Sequence, residues 1–192
     1  MPPLAASCEC TFGLWGSPGP RPRPDVSSCP TRSSSAGDAV ERAWVGTMQR
    51  VAAMPTGTVD ASVDGEWSFA QTLRHLVMAT DTWLGKAVLR VVDPYHPIGQ
   101  PYDNAGDSAA FDEDTFSTEK PSFDEVLRVR AERQAMMRDF LAATTAQELV
   151  EPRRNPHAPD HEKSVLSCLH TVLEEEWEHH RYAVRDLEAL TL

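Results

Sequence analysis

The chain has 192 residues and a formal net charge of -11, enough length for one domain with a real hydrophobic core. Its acidity argues against nucleic acid or an anionic membrane surface as partner, because both attract basic patches. No apolar run reaches the roughly 18 residues of a membrane span, and the opening MPPLAASCECTFGLWGS lacks the basic start and clean apolar stretch of a secretion signal, so a cytoplasmic protein is expected.

Residues 1–36 are rich in Pro, Ser, Arg and Gly (SPGPRPRPDVSSCPTRSSS). Such a composition buries too little apolar surface to offset its ordering entropy, so a disordered tail without a function of its own is expected. It holds Cys8, Cys10 and Cys29. No second pair with finger-like spacing follows the C-x-C, and neither a zinc finger nor a disulfide framework is supported. The remaining cysteine, Cys168, falls inside a helical pattern and reads as a small apolar filler.

Residues 37–192 form the folded domain. Val40, Trp44, Met48 and Val51 share one face of a first helix, with Asp38 near its start and Pro55 and Gly57 beyond its end. Ser68 is placed to cap a second helix, whose apolar period runs through Phe69, Leu73, Leu76, Val77, Leu84, Val88 and Val91 until Pro94 stops it. Residues 94–121 are a long connection of Pro, Gly, Asp and aromatic residues, the length of a functional lid or a mobile segment. Ser122 caps a third helix with the stripe Phe123, Val126, Leu127, Arg130, Met137, Phe140 and Leu141. A second loop, EPRRNPHAPDHEK, leads to the longest helix, 164–190, with its stripe at Val165, Leu169, Val172, Leu173, Ala183, Val184 and Leu187. No stretch alternates with a period of two. The expected fold is all-α, a four-helix bundle whose interior sites are built from facing side chains.

The last helix carries the residues best suited to chemistry. Glu176 and His180 lie one turn apart, along the line of Leu169, Val172, Leu173, Ala183 and Leu187. A carboxylate and an imidazole at i and i+4 are two ligands for a divalent metal. Burying them unpartnered costs a few kcal/mol each, and a metal ion would offset that cost. Glu175 and His179 offer the same spacing one residue back, and the charge run 174–181 also suits a solvated face, so the register stays open. The flanking apolar residues favour Glu176 and His180. A third ligand is expected from another helix. His75 is the candidate, the one histidine of the long, apolar second helix, although by itself it suits an ordinary satisfied histidine equally well. His96, His157 and His161 lie in loops, and His170 falls off the Glu176/His180 face.

Two segments, W-S-x-x-x-T-L-R-H-L at 67–76 and E-E-W-E-H-H-R-Y-A at 175–183, resemble the DinB-like superfamily of four-helix metalloproteins, and the resemblance covers 37–192. Most members carry a histidine early in the second helix and H-x-x-x-H in the last. With Glu176 in first place the pair here reads E-x-x-x-H, similar to the metal-binding domain of mycothiol-dependent maleylpyruvate isomerase, where a His/Glu/His set holds zinc. The resemblance implies a divalent metal on His75, Glu176 and His180. Zinc is the expected ion, although nickel, iron, cobalt and manganese also suit such a donor set. Three protein ligands leave a position open, as in catalytic rather than structural zinc sites. That position can activate water or keep a thiol as thiolate. The resemblance favours the thiol. The expected co-substrate is a low-molecular-weight thiol such as mycothiol or bacillithiol, and the expected activity is S-transferase-like attack on a small electrophile. Tyr95, His96 and Tyr102 in the long connection are candidate contacts. The sequence holds no counterpart of the isomerase's second domain, so isomerisation is not implied. Two alternatives stand beside this reading: a metal-dependent hydrolase using a metal-bound water, and a non-catalytic, stress-related metal-binding bundle. A homodimer is compatible with any of them.

Overall fold

Serine side chains set the starts of three long helices. A computed structural model describes residues 32–102 and 110–191, and in it Ser68 opens helix α2 (Phe69–Thr80) with a full capping box. Its hydroxyl accepts from the Gln71 N–H at 3.3 Å while the Gln71 side chain accepts from the Ser68 N–H at 2.9 Å. Ser122 caps α3 (Phe123–Ala143) and Ser164 caps α5 (Val165–Ala189) in the same sense, each accepting one backbone N–H. Helix α1 (Arg32–Ala52) starts at Arg32, ahead of the start expected near Gly37. Residues 32–36, expected to belong to the disordered tail, are thus helical, while the rest of that tail, with Cys8, Cys10 and Cys29, lies outside the described residues.

Helix α2 does not run on as a plain α-helix to Pro94. From Asp81 to Val88 it widens into a π-helical segment, closed by the bond from Leu89 N–H to the Leu84 carbonyl at 2.8 Å. Gly85 lies in this segment against Pro94, and a Cβ there would stand 2.8 Å from the Pro94 Cβ. Gly85→Ala is therefore expected to destabilise the fold by about 1–3 kcal/mol, the usual cost of overpacking, read as a lower urea midpoint at unchanged slope.

The four long helices form the expected bundle, with α2 packed against α3 and α5, and α5 against α1. One part of the core gathers Trp44, Phe69, Leu73, Leu76, Val126, Val129 and Leu187; the other gathers Trp83, Leu84, Val88, Val165, Leu169 and Val172. Helix α5 contributes to both, Leu187 from its C-terminal part to the first and Val165, Leu169 and Val172 from its N-terminal part to the second. Cys168 is a buried free thiol in the second part, as a small filler should be. Among the described residues no helix is long and apolar enough to cross a membrane.

Two connections carry more structure than expected. Between α3 and α5 lie a single helical turn, α4 (Ala146–Leu149), and an antiparallel hairpin of β1 (Pro152–Arg154) and β2 (Glu162–Ser164), with Pro152 opposite Ser164. Strands of three residues are too short to show a two-residue alternation. Arg153 ties the hairpin to the π-helical segment by donating to the Val88 carbonyl at 3.2 Å. The described parts of 94–121 are pinned to the bundle. The Arg74 guanidinium donates to the Ile98 carbonyl at 2.7 Å, and the His96 N–H donates to the buried Asp81 carboxylate at 3.0 Å. Tyr95 donates to the Ala110 carbonyl at 2.8 Å and packs edge-on against Phe111 and Phe116.

Candidate metal centre

Successive residues of a helix point about 100° apart, so neighbouring i, i+4 pairs on α5 face different helices. Glu175 and His179 face α2. There they meet His75, which α2 presents two turns in from its Ser68 cap. One donor atom from each of the three lies within 4.8 Å of the others. The His75 Nε2 stands 3.4 Å from the Glu175 Oε2, and the His179 Nδ1 stands 3.4 Å from the same oxygen. The two imidazoles stack with centroids 4.6 Å apart, and Trp67, one residue before the cap, lies 4.7 Å from the His75 ring and 6.1 Å from the His179 ring.

Both rings meet a backbone carbonyl through Nδ1. The His75 Nδ1 lies 3.1 Å from the Gln100 carbonyl oxygen and the His179 Nδ1 lies 2.9 Å from that of Glu175. A carbonyl only accepts, so each Nδ1 carries its proton; at His75 this leaves the lone pair on Nε2, the nitrogen that faces Glu175, whereas at His179 the nitrogen near the Glu175 oxygen is the protonated Nδ1. This is the outer support that metal-ligating histidines normally have. At His75 the second acceptor is decisive. With Nδ1–H given to Gln100, the Nε2 faces a carboxylate oxygen, and only a proton or a metal cation between them makes that approach favourable. The hydrogen bond from His75 is the main reason the Glu175 carboxyl is held below its ordinary value, against the opposing effect of burial. Burial, followed by the nearby His75, holds the His179 imidazole below its ordinary value. Two imidazoles and a carboxylate with one donor atom each within 4.8 Å of the others suit a divalent ion, which forms bonds of about 2.0–2.2 Å to such donors.

Glu176 and His180, expected as ligands, do not reach His75. The Glu176 carboxylate is 8 % exposed and is held by both terminal nitrogens of the Arg130 guanidinium of α3, one of them at 2.6 Å. Arg130 in turn lies over the Trp44 ring at 5.5 Å. The His180 Nε2 is 2.9 Å from the Thr47 hydroxyl, and its ring stands edge-on to Trp44 at 4.9 Å. Both residues are directed at α1 and α3. The register of the convergent pair is thus one residue earlier than expected, for a physical reason. The apolar line correctly marked Glu176 as buried, but an arginine rather than a metal offsets the cost of burying it. That arginine was visible as a charged interruption of the α3 stripe. Of the loop candidates, Tyr95 and His96 anchor the connection, while the Tyr102 hydroxyl lies 3.4 Å from the His157 Nδ1. Sequence reasoning gave no role to Trp67 or to the Gln100 carbonyl.

A bundle that brings two imidazoles and a carboxylate from facing helices into one corner defines a class of helical proteins with an interior metal-type site. The chain belongs to the DinB superfamily, whose family model matches residues 39–183, a span that includes His75, Glu175 and His179. No curated protein and no solved structure matches the chain.

Proposed function

We propose that this chain binds a divalent metal, with zinc the expected ion, through His75, Glu175 and His179, and uses it to transfer a low-molecular-weight thiol to a small electrophile. The observation that carries the reading is the His75 ring, whose Nδ1 faces the Gln100 carbonyl while its Nε2 faces the Glu175 carboxylate. A bound divalent ion would supply Lewis acidity that favours thiolate over thiol at neutral pH. The protein's own part is positioning. Gln100 holds the His75 ring, the α5 backbone holds the His179 ring, and Trp67 packs along both. With three protein donors in the group, room is left for an exogenous ligand, which is what separates a reactive site from a closed structural one. The thiol, mycothiol or bacillithiol in kind, is supported by the E-x-x-x-H pattern that resembles the thiol-dependent isomerase domain, with Glu175 rather than Glu176 as its carboxylate.

The test is a cobalt-loaded protein titrated with a low-molecular-weight thiol, alongside consumption of a haloalkyl or other small electrophile. Thiolate-to-cobalt absorbance and turnover that needs both metal and thiol are the expected results. Turnover of an ester or amide with no thiol present would replace this reading with the hydrolase. Protein that refuses zinc, nickel and cobalt would remove the enzyme altogether.

A further inference from the structure

Helices α1, α3 and α5 border a cavity of about 280 Å³, and Thr80 at the end of α2 completes its wall. His75, Glu175 and His179 do not line it, so it is separate from the donor group. Its wall is mostly apolar, with Val40 and Trp44 from α1, Met137 and Leu141 from α3, and Val172 and Leu173 from α5. An apolar cavity of about 150 Å³ takes up one benzene ring, so by proportion this one suits a molecule of roughly eleven non-hydrogen atoms. The cations of the wall are each paired. Arg130 is bound to Glu176, Arg138 to Glu41, and Arg133 to Asp81 at 2.5 Å. A ligand with a formal charge would give up its water for a wall whose cations are already matched, which favours an uncharged one. The Thr80 hydroxyl is also committed, donating to the Leu76 carbonyl at 2.9 Å. The exposed Asp38 and the half-buried Gln134 complete the polar lining. Glu176 differs from its neighbours. Each of its two oxygens accepts one bond from Arg130, and a carboxylate oxygen has two lone-pair sites, so each can accept a second. An acceptor on the wall of an apolar cavity calls for a ligand that brings a donor.

We infer that this cavity is a second binding site, for an uncharged molecule with an apolar body and one hydroxyl, a phenol or an alcohol, whose O–H donates to the Glu176 carboxylate. The apolar body supplies most of the binding through the surface it removes from water. The hydroxyl adds a hydrogen bond to an ionised acceptor, roughly twice as strong as one between neutral groups. That bond favours the alcohol over a hydrocarbon of the same size. Glu176 then has two roles, neutralising Arg130 within the fold and selecting the ligand. The site stands apart from the metal reading, because none of the three metal donors lines it.

The experiment titrates the full chain with propylphenol and with butylbenzene, probes with equal numbers of non-hydrogen atoms, in a calorimeter. Both are expected to bind the wild type at one site and to displace each other. In the double variant Arg130→Met, Glu176→Leu, apolar residues replace the buried pair. There the affinity for propylphenol relative to butylbenzene should fall about 10-fold or more, the usual worth of a hydrogen bond to a charged group. Leu141→Trp, which puts bulk into the cavity, should lose both probes. Absence of saturable propylphenol binding in the wild type would overturn the inference. An affinity ratio unchanged in the double variant would also overturn it, by removing Glu176 from the contact. Unchanged binding in Leu141→Trp places the probes outside the cavity, with the same consequence. The wild-type and Leu141→Trp titrations decide the matter even where the double variant fails to fold.

Discussion

His75→Ala and His179→Ala are each expected to abolish stoichiometric metal binding, while His180→Ala retains one equivalent when the proteins are loaded with zinc and analysed by elemental mass spectrometry. The expectation follows from where the rings point. His75 and His179 stack at 4.6 Å and share the Glu175 oxygen, whereas His180 is engaged with Thr47 and Trp44 on the far side of α5. Loss of an outer supporting partner alone lowers metal affinity by about 10–100-fold, so removing a direct donor from a set of three should exceed that range. Glu175→Gln belongs with the losing group, because an amide oxygen carries none of the charge that the cation needs. Metal retained by His179→Ala but lost by His180→Ala would return the site to the register that the apolar stripe favours.

Glu176→Gln is expected to lower stability by about 3–5 kcal/mol, the usual cost of leaving one partner of a buried ion pair uncompensated. For a domain of this size each kcal/mol moves the melting temperature by roughly 2–4 °C, so the drop should be roughly 6–20 °C in a calorimetric scan. Arg130 is 5 % exposed, so the change leaves a largely buried guanidinium without its carboxylate partner. The double variant Arg130→Met, Glu176→Leu should recover most of the loss, since well-packed apolar residues commonly replace a buried pair without penalty. Zinc content should stay at the wild-type value in both proteins. A Glu176→Gln variant that is stable and metal-free would reverse the assignment of structural and ligating carboxylates.

These two expectations hold apart the effects that the α5 charge run mixes together. Glu175 and Glu176 are neighbours with the same chemistry, yet one faces an imidazole and the other a guanidinium. Their helix dictates only that the side chains diverge by about 100°. Which neighbour each finds depends on α2 and α3, which lie 100 and 46 residues away in the chain.

The bundle was legible from local chemistry. Ser68, Ser122 and Ser164 cap their helices by bonds three residues long, and the stripes through Leu73, Leu76, Val126 and Leu169 mark faces that do become buried. His75 was also legible, as the one histidine of an apolar helix beside a segment that resembles the superfamily. The π-helical widening after Thr80 was not, because an α-helical stripe continues through Leu84 and Val88 with no break in its period. Nor was the β1–β2 hairpin, whose six paired residues leave no pattern.

By itself, then, the sequence determined the helices, their buried faces and the type of donor set, because these depend on contacts a few residues apart. The tertiary structure decided which of two adjacent Glu/His pairs meets His75, and that Arg130 rather than a metal ion neutralises Glu176. Both were settled by packing. Helix α5 is buried on two sides, so a stripe broad enough to include both registers cannot choose between them, and the choice falls to the charged or basic group that each neighbouring helix presents.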